Sequence, residues 1–188
     1  TIAGSIERMQ PIVEKAKSNG VSIRGYVSCI TACPYEGEID PKKVSAVVEK
    51  LLDIGVEEVS LGETIGVAVP TDIARLYDSL DGILSPQDSA LHLHDTRGTA
   101  LACASAAMQL GVYKFDTSAG GLGGCPYAPG AAGNLATEDL VYFANRMGIR
   151  TGIDLDSILS SIQMIEEFLD TPLQSRVYRA SSCQDPSS

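Results

Sequence analysis

Positive charge is scarce in this chain. Lysine and arginine total 14 against 24 aspartates and glutamates, which leaves a net charge of −10 over 188 residues. Such a balance repels both a nucleic-acid backbone and an anionic membrane, so neither is expected as a partner. No apolar run approaches the roughly 18 residues of a spanning helix, and no secretory pattern opens the sequence. The five cysteines, Cys29, Cys33, Cys103, Cys125 and Cys183, are an odd number without the spacing of a disulfide scaffold. A reducing compartment, a bacterial cytoplasm or an organelle matrix, is the simpler expectation. Also missing is a G-x-G-x-x-G phosphate loop after the first strand-like stretch, residues 21–29. What is present is ordinary for a folded domain: 44% hydrophobic and 20% charged residues, in a chain long enough for a sizeable core.

Helical periodicity begins almost at once, with Ile6, Met9, Val13 and Ala16 on one face and Asn19-Gly20 as a stop. Pro11 should kink this helix or mark its true first turn. Thr1 is not an initiator, so the chain reads as one whose upstream part is missing. Residues 21–29 read as a strand and 30–40 as a loop, and Asp40-Pro41 reads as the capped start of a helix that ends at Gly55. Further strands are expected at 57–61, 90–94 and 114–117. Helices are expected after a Thr71 cap, over 99–110, from a Thr137 cap to Met147 and from an Asp154 cap to about Leu169. A polar, loosely ordered tail follows Asp170.

Four strand-loop-helix units spaced roughly 30 to 35 residues apart imply parallel strands covered by helices. A doubly wound sheet and a (βα) barrel both satisfy that pattern, but the first usually announces a phosphate loop. A barrel instead gathers its chemistry at the C-terminal ends of its strands. Those ends here carry Cys29, Glu63, His92 with His94, and the loop containing Cys125. A complete barrel needs eight units and about 250 residues. The expected architecture is therefore an α/β half barrel of four βα units over residues 1–170, with 171–188 as tail.

The two histidines, His92 and His94, stand one residue apart at the end of a strand. Alternation along a strand turns both imidazoles to the same side, which makes a pincer for a divalent ion. Two half-buried imidazoles bonded to backbone would satisfy the same spacing. The glycine-rich stretch 118–136 gives a backbone that can move and approach a ligand closely, and it could carry Cys125 into the site on closure. A flexible linker with an incidental cysteine is the alternative. Asn134, just before a capped helix, could add an amide oxygen to the metal.

Several segments resemble one family. They are Arg24-Gly25-Tyr26-Val27-Ser28-Cys29, Cys33-Pro34-Tyr35-Glu36-Gly37, Ser60-Leu61-Gly62-Glu63-Thr64-Ile65-Gly66, His92-Leu93-His94-Asp95-Thr96 and the loop 119–139. Together they are similar to the 3-hydroxy-3-methylglutaryl-CoA lyases, within the barrel superfamily of metal-dependent lyases and Claisen-type synthases. The most specific part is Gly-Gly-Cys-Pro-Tyr-Ala from Gly123, followed by Gly-Asn-x-Ala-Thr-Glu-Asp-Leu-Val-Tyr from Gly133.

The resemblance implies cleavage of an acyl-CoA thioester, 3-hydroxy-3-methylglutaryl-CoA, to acetyl-CoA and acetoacetate. It makes His92, His94 and Asn134 the ligands of a divalent cation, Mg²⁺ or Mn²⁺ first and Zn²⁺ as an alternative. Glu63, at a position commonly aspartate in the family, becomes the base that removes the hydroxyl proton. Cys125 becomes the acid that protonates the departing carbanion. Asp95 and Gly124 fall in the surrounding shell, Asp95 either orienting an imidazole or forming a turn. Asp116 is expected in a hydrogen-bond network, and Cys103 in the core. The arginine–aspartate pair of the family's first strand and a later glutamate have no counterpart here. The chain thus corresponds to strands five to eight of the barrel. Its partner is then an N-terminal half or a second copy. A condensing synthase of the same superfamily and an inactive, self-associating half barrel are the competing readings.

Overall fold

The computed structural model describes residues 1–124, 133–173 and 175–182. Within them, α1 (Ile2–Ser18) is followed by β1 (Arg24–Ser28), a small hairpin of β2 (Ala32–Cys33) and β3 (Gly37–Glu38), and α2 (Pro41–Ile54). Then come β4 (Glu58–Glu63), α3 (Pro70–Leu80), β5 (Ser89–Leu93), α4 (Ala100–Gln109) and β6 (Phe115–Asp116). Three further helices close the described chain: α5 (Thr137–Arg146), α6 (Leu155–Leu169) and α7 (Arg176–Ser182). None of the described helices is long and apolar enough to cross a membrane.

The main sheet is all parallel, in the order β1-β4-β5-β6. Sequential order means that no strand reverses the direction of winding. Right-handed crossovers then deliver every connecting helix to the same face, so the switch point of a doubly wound sheet is absent. That face carries Val27, Val59, Leu61, Leu91 and Leu93, all buried, against Val48, Leu76 and Cys103 from the helices. The register pairs Tyr26 with Ser60 and Gly62 with His92, so the opposite face carries Arg24, Tyr26, Glu58, Ser60, His92 and Asp116. Tyr26 there is 58% exposed.

The sheet is strongly curved. In a flat sheet, β1 and β6 would lie about 14 Å apart, three strand spacings, beyond the combined reach of one arginine and one aspartate. Yet Arg24 Nη1 on β1 donates to Asp116 Oδ1 on β6 at 2.7 Å. Arg24 and Lys114 also both pair with Glu58. The polar face is therefore the concave one.

Local chemistry explains the element ends. Asp40 Oδ1 accepts from Lys42 N–H at 3.0 Å with Pro41 in the first turn, and Gly55 closes α2 at φ +98°, as expected. Pro11 breaks nothing: α1 runs through it from Ile2 to Ser18. Two expected caps are corrected. Pro70 takes the first position of α3, so Val69 stands at its cap, and Asp72 Oδ2 accepts the Val69 N–H at 3.0 Å. Thr137 is already helical, and its hydroxyl instead meets that of Thr117 at 2.8 Å. The loop expected at 30–40 holds the β2–β3 hairpin, whose two-residue strands are too short to leave a periodicity. The tail is corrected as well. Leu173, Ser175 and Tyr178 are buried, and Leu173 and Tyr178 pack with Ile162 in a second small core. Asp139 on α5 accepts the N–H groups of Arg176 and Val177, at 3.2 and 2.8 Å, and so caps α7. Cys183 lies outside the described residues.

Candidate functional site

The central strand β5 ends at Leu93, and the chain continues through His94 in a bridge with Asn134. Two backbone bonds fasten that bridge: Leu135 N–H to Leu93 O at 2.8 Å and Asp95 N–H to Gly133 O at 3.1 Å. The imidazoles of His92 and His94 sit side by side, with ring centroids 5.4 Å apart and planes tilted by 52°. Both line a cleft of about 490 Å³ together with Tyr26, Cys29, Cys33 and Gly124.

Asn134 is held in an unusually tight seat. A side chain at Gly133 would place its Cβ 1.6 Å from Gly121 O, and one at Gly123 would meet Asn134 Nδ2 at 2.5 Å. At these described ends of the loop, glycine is required by space. Asn134 Nδ2 donates to Leu122 O at 2.9 Å. Because a carbonyl can only accept, that bond fixes which end of the amide is nitrogen and leaves Oδ1 for another partner. No donor among the described residues reaches Oδ1, which is buried, and His94 Nδ1 is also buried without a partner. Unsatisfied buried polar atoms are rare and costly. Two lone-pair donors on bridged residues, His94 Nδ1 and Asn134 Oδ1, beside the second imidazole, His92, are the chemistry of a divalent cation's ligands. Among the described residues no three His, Cys, Asp or Glu side chains gather for a metal, so the set depends on the amide. His94 is 7% exposed, and burial, with the neighbouring His92, lowers its pKa and keeps the ring neutral, the form that can ligate.

Glu63 does not join them. It pairs in register with Leu93, on the convex face, and is 1% exposed. Its Oε2 accepts from Gly66 N–H at 2.7 Å, and its Oε1 from Val67 N–H at 3.1 Å and Thr31 Oγ1 at 3.2 Å. These bonds make Glu63 a clamp on the loop after β4 and on the start of the hairpin. Arg97 grips the same loop through the carbonyls of Ile65 and Gly66, and Thr64 Oγ1 accepts the N–H of Cys29, whose φ is +60°. Asp95 also turns away from the imidazoles. Its Oδ1 accepts the Ala100 N–H at 2.9 Å, at the start of α4, and its Oδ2 takes Arg176 Nη1 at 2.9 Å. Cys125 lies outside the described residues.

Residues 1–165 match the HMGL-like family. The chain belongs to that family. Among relatives, the mitochondrial hydroxymethylglutaryl-CoA lyase of Bos taurus is 46% identical over 183 residues, covering 96% of this chain and 55% of that protein. The structure of hydroxymethylglutaryl-CoA lyase from Pseudomonas aeruginosa superposes with a TM-score of 0.94 at 41% identity, over 98% of this chain and 61% of that one. A lyase structure solved in complex with coenzyme A and 3-methylmalate, from Acenitobacter baumannii, gives a TM-score of 0.89 at 35% identity, over 99% of this chain and 60% of its own. The chain thus spans little more than half the length of these relatives in the HMGL-like family.

One feature of the site had only a faint trace in the sequence. Asp116, expected merely in a network, faces His92 across the strand pair, with Oδ2 3.8 Å from Nδ1. A carboxylate at the end of a strand paired to the His-x-His strand was the available signal.

Proposed function

We propose that this chain carries the metal-binding part of an acyl-CoA lyase that cleaves 3-hydroxy-3-methylglutaryl-CoA to acetyl-CoA and acetoacetate. One observation supports it above the rest: His92, His94 and the unsatisfied Oδ1 of Asn134 converge at one end of a parallel sheet. A divalent cation, Mg²⁺ or Mn²⁺ and less favourably Zn²⁺, bound there supplies the Lewis acidity that makes a tertiary hydroxyl easier to deprotonate. His92, His94 and Asn134 hold and orient that charge. Cys125, on the glycine-rich loop, is assigned by family resemblance as the acid that protonates the departing acetyl-CoA carbanion. Glu63 holds the rim loop in place and does not itself take the hydroxyl proton.

The chain is read as half of a barrel, with residues 1–170 supplying four of eight units. Two features support this: the sequential curved sheet, and the exposed concave face that bears Arg24 and Tyr26. The complement implied by the family resemblance is an N-terminal half, and a second copy is the alternative occupant. The reading is tested by titrating the chain with Mn²⁺ and then assaying acetoacetate release with the complementary half supplied in trans. Binding that His94→Ala abolishes, together with turnover only when the halves are mixed, is expected. Acetoacetate release that survives His94→Ala overturns the assignment. Condensation without cleavage would favour the synthase reading.

A further inference from the structure

Behind His92 stands the Asp116 carboxylate, to which the proposed chemistry gives no role. β5 and β6 pair His92 directly with Asp116, so the two side chains project together onto the concave face. The carboxylate is fixed from both sides. Arg24 Nη1 donates to Oδ1 at 2.7 Å, and Ser60 Oγ donates to Oδ2 at 2.7 Å. Oδ2, the oxygen that faces His92, keeps lone-pair capacity for one more donor, and Nδ1 lies 3.8 Å away.

The two ring nitrogens of a neutral imidazole cannot both offer a lone pair. Whichever nitrogen meets an ionised carboxylate retains the proton, and the other is left as the ligand atom. We propose that Asp116 is the positioning residue of His92: it holds the proton on Nδ1 and so presents the Nε2 lone pair to the cleft. The imidazole-orienting role, one of the two expected of Asp95, belongs to Asp116 instead. The proposal rests on the reading of His92 as a ligand, but its central claim, the tautomer, is independent of any metal.

The Asp116→Asn variant makes a sharp probe. An amide has one acceptor oxygen, and the charged Arg24 holds the stronger claim on it. The amide nitrogen then replaces Oδ2 and points its hydrogens at Nδ1, which must become the acceptor. The proton moves to Nε2, the nitrogen meant for the metal.

The experiment is a long-range proton–nitrogen correlation spectrum of the metal-free, nitrogen-15-labelled chain at mildly alkaline pH, followed by titration with Mn²⁺. The wild type is expected to show His92 protonated on Nδ1. Asp116→Asn is expected to invert this and to weaken Mn²⁺ binding by about 10- to 100-fold. Phe115→Leu loosens packing on the opposite face of β6 and leaves the Asp116 carboxylate with both of its donors. It should keep the wild-type tautomer and bind Mn²⁺ within about twofold, a separation that a general loss of packing would not produce. If Asp116→Asn does not fold, Asp116→Ala, which takes the acceptor away from Nδ1, is read for loss of the Nδ1-protonated preference. His92 protonated on Nε2 in the wild type, or a tautomer indifferent to Asp116, overturns the proposal. A tautomer that inverts in a chain that never binds Mn²⁺ would uphold the positioning and remove the ligand reading alone.

Discussion

Replacing Glu63 by glutamine separates a clamp from a base. The carboxylate is almost completely buried and accepts three hydrogen bonds: Gly66 N–H on one oxygen, and Val67 N–H with Thr31 Oγ1 on the other. Glutamine is nearly isosteric but keeps only one acceptor oxygen. Its lowest-energy orientation serves Val67 and Thr31 and turns the amide nitrogen toward the Gly66 N–H, donor against donor. A buried amide stranded in this way costs about 1–3 kcal/mol, and the bonds that remain lose their charge assistance. Removing a buried charge returns part of that, so the net loss should be about 2 kcal/mol. For a chain of this size that lowers the melting temperature by roughly 4–8 °C. Thermal and urea unfolding measure the loss, and hydrogen exchange locates it: the amides of Gly66 and Val67 should exchange about thirtyfold faster, the equivalent of 2 kcal/mol. If Glu63→Gln melts within about 1 °C of the wild type with those amides unchanged, the clamp is wrong. The carboxylate would then be free to act as the base.

Four other outcomes follow from the geometry. Gly133→Ala should fold yet bind Mn²⁺ at least tenfold more weakly by calorimetry, because its Cβ would fall 1.6 Å from Gly121 O and must displace Asn134. Gly120→Ala should lower stability by about 1–3 kcal/mol in urea unfolding, since it joins a left-handed φ of +65° to a Cβ 2.6 Å from Leu173 Cδ1. Cys103 should resist alkylation in the folded chain at pH 8, because burial, aided by the nearby Glu63 charge, pushes its thiol up to about 12. The Tyr178 hydroxyl holds the Glu166 carboxyl below its ordinary value of 4.5. A depressed folded pKa gives stability that is present above the ordinary value and lost as pH falls through the folded one. Protease release of the C-terminal helix should therefore rise below about pH 4.5, and Tyr178→Phe should flatten that dependence.

The parts of the fold that were readable from the sequence are those where a local rule had no tertiary competitor. α2 carries its own cap, proline and terminal glycine, and the His-x-His spacing follows from strand alternation alone. Thr71 and Thr137 satisfied the same capping rule and failed it. Pro70 claimed the first turn of one helix, and a strand-end partner, Thr117, claimed the other hydroxyl. Ending the second expected strand at Leu61 left Glu63 just past its end, open to be read as the base. Two more residues of strand put it on the buried face shared with Leu61, and the same period of two would have shown this. The docked helix after Asp170 was hidden for a different reason. Its two buried anchors, Leu173 and Tyr178, are too few to raise a helical pattern above a polar background, and its fixation comes from Asp139, more than 30 residues earlier.

The contrast between Glu63 and Asp116 shows what decides the role of an acidic residue near this site. Both stand at the C-terminal ends of strands, and β5, the strand of the histidines, is a hydrogen-bonded neighbour of each. Glu63 lies on the helix-covered face, where three donors around the loop and hairpin meet both of its oxygens, so its charge goes into holding those segments. Asp116 lies on the concave face, where Arg24 and Ser60 fix its position without using up the oxygen that looks at His92. Of the two roles expected of Asp95, the structure shows the turn-forming one, for the same reason. Adjacent to His94, it is turned by the end of the strand toward α4 and Arg176. Sheet face, more than distance along the chain, determines which carboxylate can act on an imidazole, and it makes Asp116 the one whose loss the proposed metal ligands should feel.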